Sequence, residues 1–201
     1  MRKIGIYLVI IGIAILGFYL IYNKSIEKRA SDSVDDYIND TSIVNVISNE
    51  ESIEETKEEE SNNKRSINYT AILEIPSIDL KQGVVDSTKN FSSINYAISV
   101  DKNSNYPNEL GNFILYAHSG NSYISYFRKL NRVNINDDIY VYYQGIKYHY
   151  IIYDKYDIEK TGKAKIISKK DSNYITLITC NQDKKGYQIV VLGKLIDTIN
   201  Y

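Results

Sequence analysis

Hydrophobic and polar positions divide the chain into three textures. The first is an uncharged apolar run, "IGIYLVIIGIAILGFYLIY", from Ile4 to Tyr22. As a helix it is about 28 Å long, close to the hydrocarbon thickness of a bilayer. It reads as an uncleaved transmembrane anchor. It is longer than the apolar core of a secretory signal, and "YNKSIEKRAS" behind it has no small-x-small cleavage site. The second texture, residues 23–66, is polar and ends in the acidic stretch "NEESIEETKEEESNN". That stretch carries too little apolar surface to order itself by burial. Before it, "SVDDYINDTSIVNVIS" sets Val34, Ile38 and Val44 at roughly helical spacing. This segment is therefore expected to be a stalk, partly helical or disordered.

The third texture, residues 67–201, alternates with the period of β-strands. "YTAILEI" (Tyr69 to Ile75) is a strand ended by Pro76, and "SIDLKQGVV" is expected to continue extended. "NFILYAH" (Asn112 to His118) has the short apolar run of a buried strand. "SYISYFRKLNRV" places Tyr123, Phe127 and Leu130 on one face of a predicted helix. "DDIYVYYQGIKYHYIIYDKYDI" alternates on both sides of Gln144-Gly145, which predicts a hairpin with a two-residue turn. "NYITLITC" and "YQIVVLGKLI" are two more strands, joined by the loop from Asn181 to Gly186. Many short strands with a few short helices predict a mostly β fold, a closed or nearly closed barrel.

Charge adds an exclusion. With 24 Lys+Arg against 25 Asp+Glu the net charge is -1. No global basic field is available to hold nucleic acid. Arg2 and Lys3 before the apolar run compete with Lys24, Lys28 and Arg29 after it, so the positive-inside count alone is ambiguous. We take the N-terminus as cytoplasmic because the rest of the chain reads as an exported domain. The expected organisation is a cytoplasmic tip (1–3), an anchor (4–22), a stalk (23–66) and an extracellular β-domain (67–201), on a single-pass protein of the cell membrane.

The chemistry available is narrow. The chain has no G-x-G-x-x-G, G-x-x-x-x-G-K, C-x-x-C or H-E-x-x-H. Two histidines and a single cysteine make no zinc site, and no metal is expected. His149 lies mid-strand between tyrosines and reads as a partly buried structural histidine. His118 ends one predicted strand and Cys180 another, so both can reach one rim of a barrel. Taken alone, Cys180 is open to three readings: a buried small apolar residue, an intermolecular partner, or a reactive thiol. An imidazole beside a thiol favours thiolate and can return a proton to a leaving amine.

"TLITC", Thr176 to Cys180, resembles the T-L-x-T-C signature of sortases, the cysteine transpeptidases of Gram-positive cell surfaces. "GNFILYAHSG" (Gly111 to Gly120) is similar to the segment that carries the sortase histidine, and "ILEIPSIDL" (Ile72 to Leu80) to the family's first strand. "YFRKLNRVNINDDIYVYYQGIKYHYII" resembles the helix and hairpin after that histidine, so the likeness runs from about Tyr69 to Ile196. The resemblance implies a sortase-type closed β-barrel and a two-step acyl transfer. Cys180 is then the nucleophile that forms a thioacyl intermediate on an L-P-x-T-G-like sorting signal, and His118 is the general acid and base. The implied partners are secreted proteins with a C-terminal sorting signal, and a peptidoglycan precursor or a pilin lysine as the amine acceptor. The chemistry requires no cofactor. Thr179 and Ser119, flanking the pair, are candidate substrate contacts. The short connection between the hairpin and "NYITLITC" leaves little room for the long helical insertion of staphylococcal-type class B sortases, whereas the acidic region before Ser66 is similar to an N-terminal appendage of the class B kind, so a class B-like or class D-like, clostridial form is expected.

One position departs from the family. Sortases carry an Arg in the strand after the cysteine, and here Gln188 falls at that place. A Gln amide still donates a hydrogen bond but lacks the charge and fork of guanidinium. Three readings stay open. Gln188 serves as a neutral oxyanion or substrate donor, or another cation (Arg128, Arg132, Lys184 or Lys185) substitutes, or the chain is a weakened relative. Two functions compete with the wall-attaching enzyme: a pilin-polymerising sortase, and a non-catalytic module that binds sorting or wall peptides. A redox partnership through Cys180 needs a resolving cysteine on another protein.

Overall fold

A computed structural model of the chain describes residues 2–47, 69–86, 94, 97–161 and 171–201. The acidic stretch "NEESIEETKEEESNN" lies outside the described residues.

The N-terminal apolar run continues without a break into the polar segment as one helix, α1 (Arg2–Ile47). Gly5–Tyr22 within it is long and apolar enough to cross a membrane, and none of that window is buried by the rest of the protein. The far end of α1 behaves differently. Val34 is buried and packs, with Tyr37 and Ile38, on Tyr69, Ile72, Val85, Ala97 and Tyr142. Tyr37 donates its hydroxyl to the Thr70 carbonyl at 2.9 Å. Burial is the main reason that the Tyr37 phenol is pushed up to about 12. The helical spacing of Val34 and Ile38 is thus used to dock α1 on the barrel. The side chain of Val44 is outside those described.

Eight strands form the body: β1 (Ala71–Ile75), β2 (Leu80–Asp86), β3 (Ile98–Val100), β4 (Gly111–Tyr116), β5 (Asp138–Tyr143), β6 (Ile146–Glu159), β7 (Asn173–Cys180) and β8 (Tyr187–Asn200). They close into a barrel in the order β1-β2-β3-β4-β7-β8-β6-β5. β2 with β3 and β4 with β7 are parallel, and the other neighbours are antiparallel. Closure removes the open edges that an eight-strand sheet would expose. The interior is filled by alternate residues, among them Leu73, Phe113, Leu115, Val141, Tyr150, Ile175, Leu177 and Val191. The β5–β6 hairpin turns at Gln144 (φ 50°) and Gly145 (φ 74°). Positive φ at both central residues matches the twist of the flanking strands. β2 carries Gly83 because the Tyr69 ring lies over it, and a Cβ there would overlap the ring.

The structure departs from the sequence expectation in two segments. "SIDLKQGVV" does not simply continue extended. A 3-10 turn, Pro76–Ile78, and Asp79 at φ 54° reverse the chain, so that β2 pairs back on β1. The expected helix through Tyr123, Phe127 and Leu130 is replaced by turns with i→i+3 backbone bonds, and only Leu130–Arg132 is a 3-10 helix. Phe127 and Leu130 are fully buried, but Tyr123 is exposed. An α-helix would give the Phe127 N–H to the Tyr123 carbonyl. Instead it meets the His118 carbonyl at 3.0 Å. Ser, Tyr and Asn are also weak helix formers, so local propensity offers little resistance.

Candidate active site

β4 and β7 run side by side, in register from Gly111↔Asn173 to Tyr116↔Ile178. Midway, the buried Thr176 hydroxyl donates to Asn112 Oδ1 at 3.0 Å, fixing the two strands against slippage. Past the last rung of that register the strands are tied by side chains. Thr179 Oγ1 donates to the Ala117 carbonyl at 2.8 Å, and Ser119 Oγ to the Cys180 carbonyl at 2.6 Å. The Phe127 N–H meets the His118 carbonyl, and the two ties fix the residues on either side of His118 against the end of β7 that carries Cys180.

Alternation decides which way these side chains face. Ala117, Leu177 and Ile189 belong to the core, and Thr179 is buried opposite Ile189. Tyr116, Ile178 and Cys180 are in the opposite phase, on the outer face. Continued by two residues from Tyr116, the alternation puts His118 on that same face. Cys180 is exposed and His118 half-buried. The exposure removes the reading of Cys180 as a buried apolar residue.

Gln188 enters from β8. It stands directly opposite Cys180, and Ile158 of β6 stands opposite Gln188. Residues facing each other in an antiparallel pair share a face, so Gln188 is on the thiol's side. The loop behind is rigidly made. Asn181 Oδ1 accepts the N–H groups of Asp183 and Lys184 at 2.9 and 3.1 Å, and its amide donates to Asp157 at 3.0 Å. Gly186, at φ 84°, closes the turn in the left-handed region. Glycine adopts that conformation without steric cost.

Of the cations expected from the sequence, Lys184 sits over the Tyr187 ring at 3.5 Å. Arg128 and Arg132 are exposed on the turns after His118, and Lys185 is exposed in the loop before β8. Among the described residues, the ammonium against the thiol is that of Lys160, with Nζ 3.6 Å from Cys180 Sγ. Sequence reasoning missed it. Lys160 follows the end of β6, and β6 neighbours β8 only through the barrel's order. Thr179 and Ser119, the expected substrate contacts, are both buried with their hydroxyls engaged by backbone carbonyls.

A cavity of about 380 Å³ opens beside Asn181, lined by Asn131, Lys155, Tyr156, Asp157 and Ile189. Asp157 and Ile189 lie on the rung that ends at Thr179, in the phase opposite to Cys180. Its lysine is already engaged, with Lys155 Nζ on the carbonyls of Asn131 and Val133 at 3.1 and 2.7 Å.

The second histidine has a separate setting. His149 Nε2 meets Asp138 Oδ1 at 2.7 Å, and its ring packs against Tyr140 with centroids 4.6 Å apart. It faces Asp138 and Tyr140 on β5, far along β6 from the row that holds Cys180.

Comparison with known proteins gives a consistent result. The sortase domain family matches residues 73–196. No curated protein sequence matches the chain. Among solved structures, sortase A of Listeria monocytogenes is 23% identical with a TM-score of 0.59, covering 66% of this chain and 90% of that one. A sortase D5 transpeptidase of Clostridium perfringens is 20% identical with a TM-score of 0.57, over 65% of this chain and 80% of that one. Sortase C-1 of Actinomyces oris is 21% identical with a TM-score of 0.57, over 63% and 73%.

Proposed function

This chain belongs to the sortase family of cysteine transpeptidases, and from that premise we propose a membrane-anchored enzyme that joins secreted proteins to an amine of the cell wall. Its substrate carries an L-P-x-T-G-like sorting signal, and its intermediate is a thioester on Cys180. The observation that supports this reading is the double tie, Thr179 to Ala117 and Ser119 to Cys180, which joins the strand end that carries His118 to the strand end that carries an exposed thiol.

The steps follow from the chemistry of the pair. The Cys180 thiolate adds to the threonine carbonyl carbon, and the carbonyl electron pair moves to oxygen. The pair returns, the C–N bond breaks, and the leaving amine takes a proton from His118. An incoming amine then gives its proton to His118 and displaces the sulfur. Gln188, on the same face, is the neutral donor to substrate or oxyanion. Thr179 and Ser119 act as clamps that fix the two strand ends, and their contribution to substrate contact is through backbone position.

Anchorage at the membrane is supported by α1. Val34 follows Tyr22 by only about 18 Å of helix at the usual rise per residue. Docking at Val34 therefore holds the barrel close to the bilayer surface. The short connection between Glu159 and Asn173 leaves little room for the long helical insertion of staphylococcal-type class B sortases, which favours a class D-like form or a class B-like one without that insertion. Use of a pilin lysine as the acceptor, with the same chemistry, is the alternative.

The test uses full-length protein in detergent micelles. L-P-x-T-G-like and N-P-x-T-like peptides are supplied with oligoglycine or with a lysine peptide. The expected product is the threonine-terminated fragment joined to an amine, absent with Cys180→Ala. Preference for the lysine peptide would favour the pilin reading. A folded protein whose thiol is inert and which makes no product would leave a peptide-binding module.

A further inference from the structure

We propose that the ammonium of Lys160 is the charged partner of the Cys180 sulfur, holding the thiolate before attack and facing the oxyanion after it. This rests on Cys180 being the nucleophile.

Lys160 is the first residue past β6, and its N–H donates to the Gly186 carbonyl at 2.8 Å. That bond fixes its backbone on the far side of β8 from Cys180. Two strand spacings, about 10 Å, separate β6 from β7. A lysine stem is long enough to bring Nζ to 3.6 Å from Sγ across that gap. Lys160 follows Ile158, the β6 member of the row Ile158–Gln188–Cys180, by two residues, so it and Gln188 both come to the thiol from the β8 side. A neutral side chain opposite the thiol on β8 and a cation that reaches the same thiol from the end of β6 are complementary. An arginine at 188 would bring a second cation to the face of Cys180, whereas glutamine leaves Lys160 as the charged group there. Two neighbouring charges are engaged elsewhere: Glu159 accepts the Tyr187 hydroxyl at 3.4 Å, and Lys184 covers the Tyr187 ring.

An ammonium in contact with a thiol favours the anion and raises its reactivity. Both groups are exposed, so screening by water keeps the effect modest. When sulfur adds to the carbonyl, the new negative charge forms on an oxygen two bonds from Sγ. The flexible ammonium follows it without a change in backbone. As the tetrahedral intermediate collapses, the charge leaves the oxygen and the proton for the amine comes from His118. Lys160 keeps its own protons throughout.

The test is run on the full chain in detergent, with Lys160→Met, Lys160→Gln, Lys160→Arg, Gln188→Arg and the Lys160→Met/Gln188→Arg double variant. Two rates are read: alkylation of Cys180 by iodoacetamide at neutral pH without substrate, and kcat with KM on the sorting peptide. The neutral variants should alkylate several-fold to about tenfold more slowly and lose kcat with KM nearly unchanged. Lys160→Arg should retain both rates. Gln188→Arg should restore most of the loss in the Lys160→Met background, which a structural role for Lys160 would not allow. Thermal melting identifies any variant that fails to fold, and two neutral replacements keep the comparison available. Wild-type alkylation by folded Lys160→Met and Lys160→Gln would overturn the proposal. Alkylation needs no sorting signal, so a wild-type protein without peptide turnover sinks the transpeptidase reading and leaves the Lys160 comparison readable.

Discussion

The two histidines of this chain sit on the same barrel and share little else. His118 lies two residues past the end of β4, between Ala117 and Ser119, which are both tied to the end of β7. His149 lies inside β6, across from Tyr140 and bonded to Asp138, with its side chain 19% exposed. A strand interior supplies a fixed lattice in which an imidazole is held between ladder neighbours. A strand end supplies freedom on one side and register on the other. Reactive groups need both, because they must meet a substrate and still be positioned to within an ångström or less.

The largest expected effects break this comparison at the rim. His118→Ala should lower kcat by about 10²–10⁴. His149→Ala should leave kcat/KM within about threefold, because it makes no contact with the reacting atoms. Steady-state turnover of the sorting peptide checks both, and equal losses would erase the distinction. Next in size is Thr179→Val, which keeps volume but strips the Ala117 carbonyl of its donor in a buried place. It should cost about 1–3 kcal/mol and lower kcat more than it raises KM. Gln188→Arg should fold normally and change kcat/KM by less than about tenfold, since a donor remains on the face of Cys180. A larger loss would mean that the amide has a role that guanidinium does not fill.

Alkaline pH compares the surroundings of the rim with those of the docked helix. Burial, more than any neighbouring charge, pushes the phenols of Tyr126 and Tyr37 up to about 12. An acid whose folded pKa is raised keeps its proton in the native state after the unfolded chain has released it. Stability is therefore complete below about pH 10 and falls as pH rises towards 12. Chemical denaturation at pH 9 and 11.5 reads the loss, and Tyr126→Phe should reduce it. The smallest effect belongs to the second histidine. Its pair with Asp138 is half in water, and His149→Asn should change stability by less than about 1 kcal/mol.

Local patterns in the sequence carried much of this arrangement. Gln144-Gly145 between two alternating runs is enough to specify the hairpin, because turn chemistry and register are decided within a few residues. Cys180 and His118 were legible as strand-end residues in the order that the T-L-x-T-C resemblance requires. What was not legible depends on the closing of the barrel. Lys160 reaches the thiol only because β6 lies against β8, an adjacency between distant parts of the chain. The three-residue β3 is too short to show a period. The turns after His118 displaced the expected helix because one donor, the Phe127 N–H, is spent on tertiary structure. The docking of α1 through Val34 also has a practical consequence. A soluble fragment begun after the stalk would uncover Tyr69, Ile72 and Val85, so experiments belong on the full chain.

In the transpeptidase reading, Cys180 carries the substrate as a thioester. Intact-mass spectrometry of the full chain after mixing with a pool of L-P-x-T-G-like and N-P-x-T-like peptides tests it most directly. The expected result is a mass increase equal to one peptide without its leaving residues, removed by hydroxylamine, localised to Cys180 and missing from Cys180→Ala. A folded protein that releases product without ever carrying that mass, or carries it equally in Cys180→Ala, would contradict the claim.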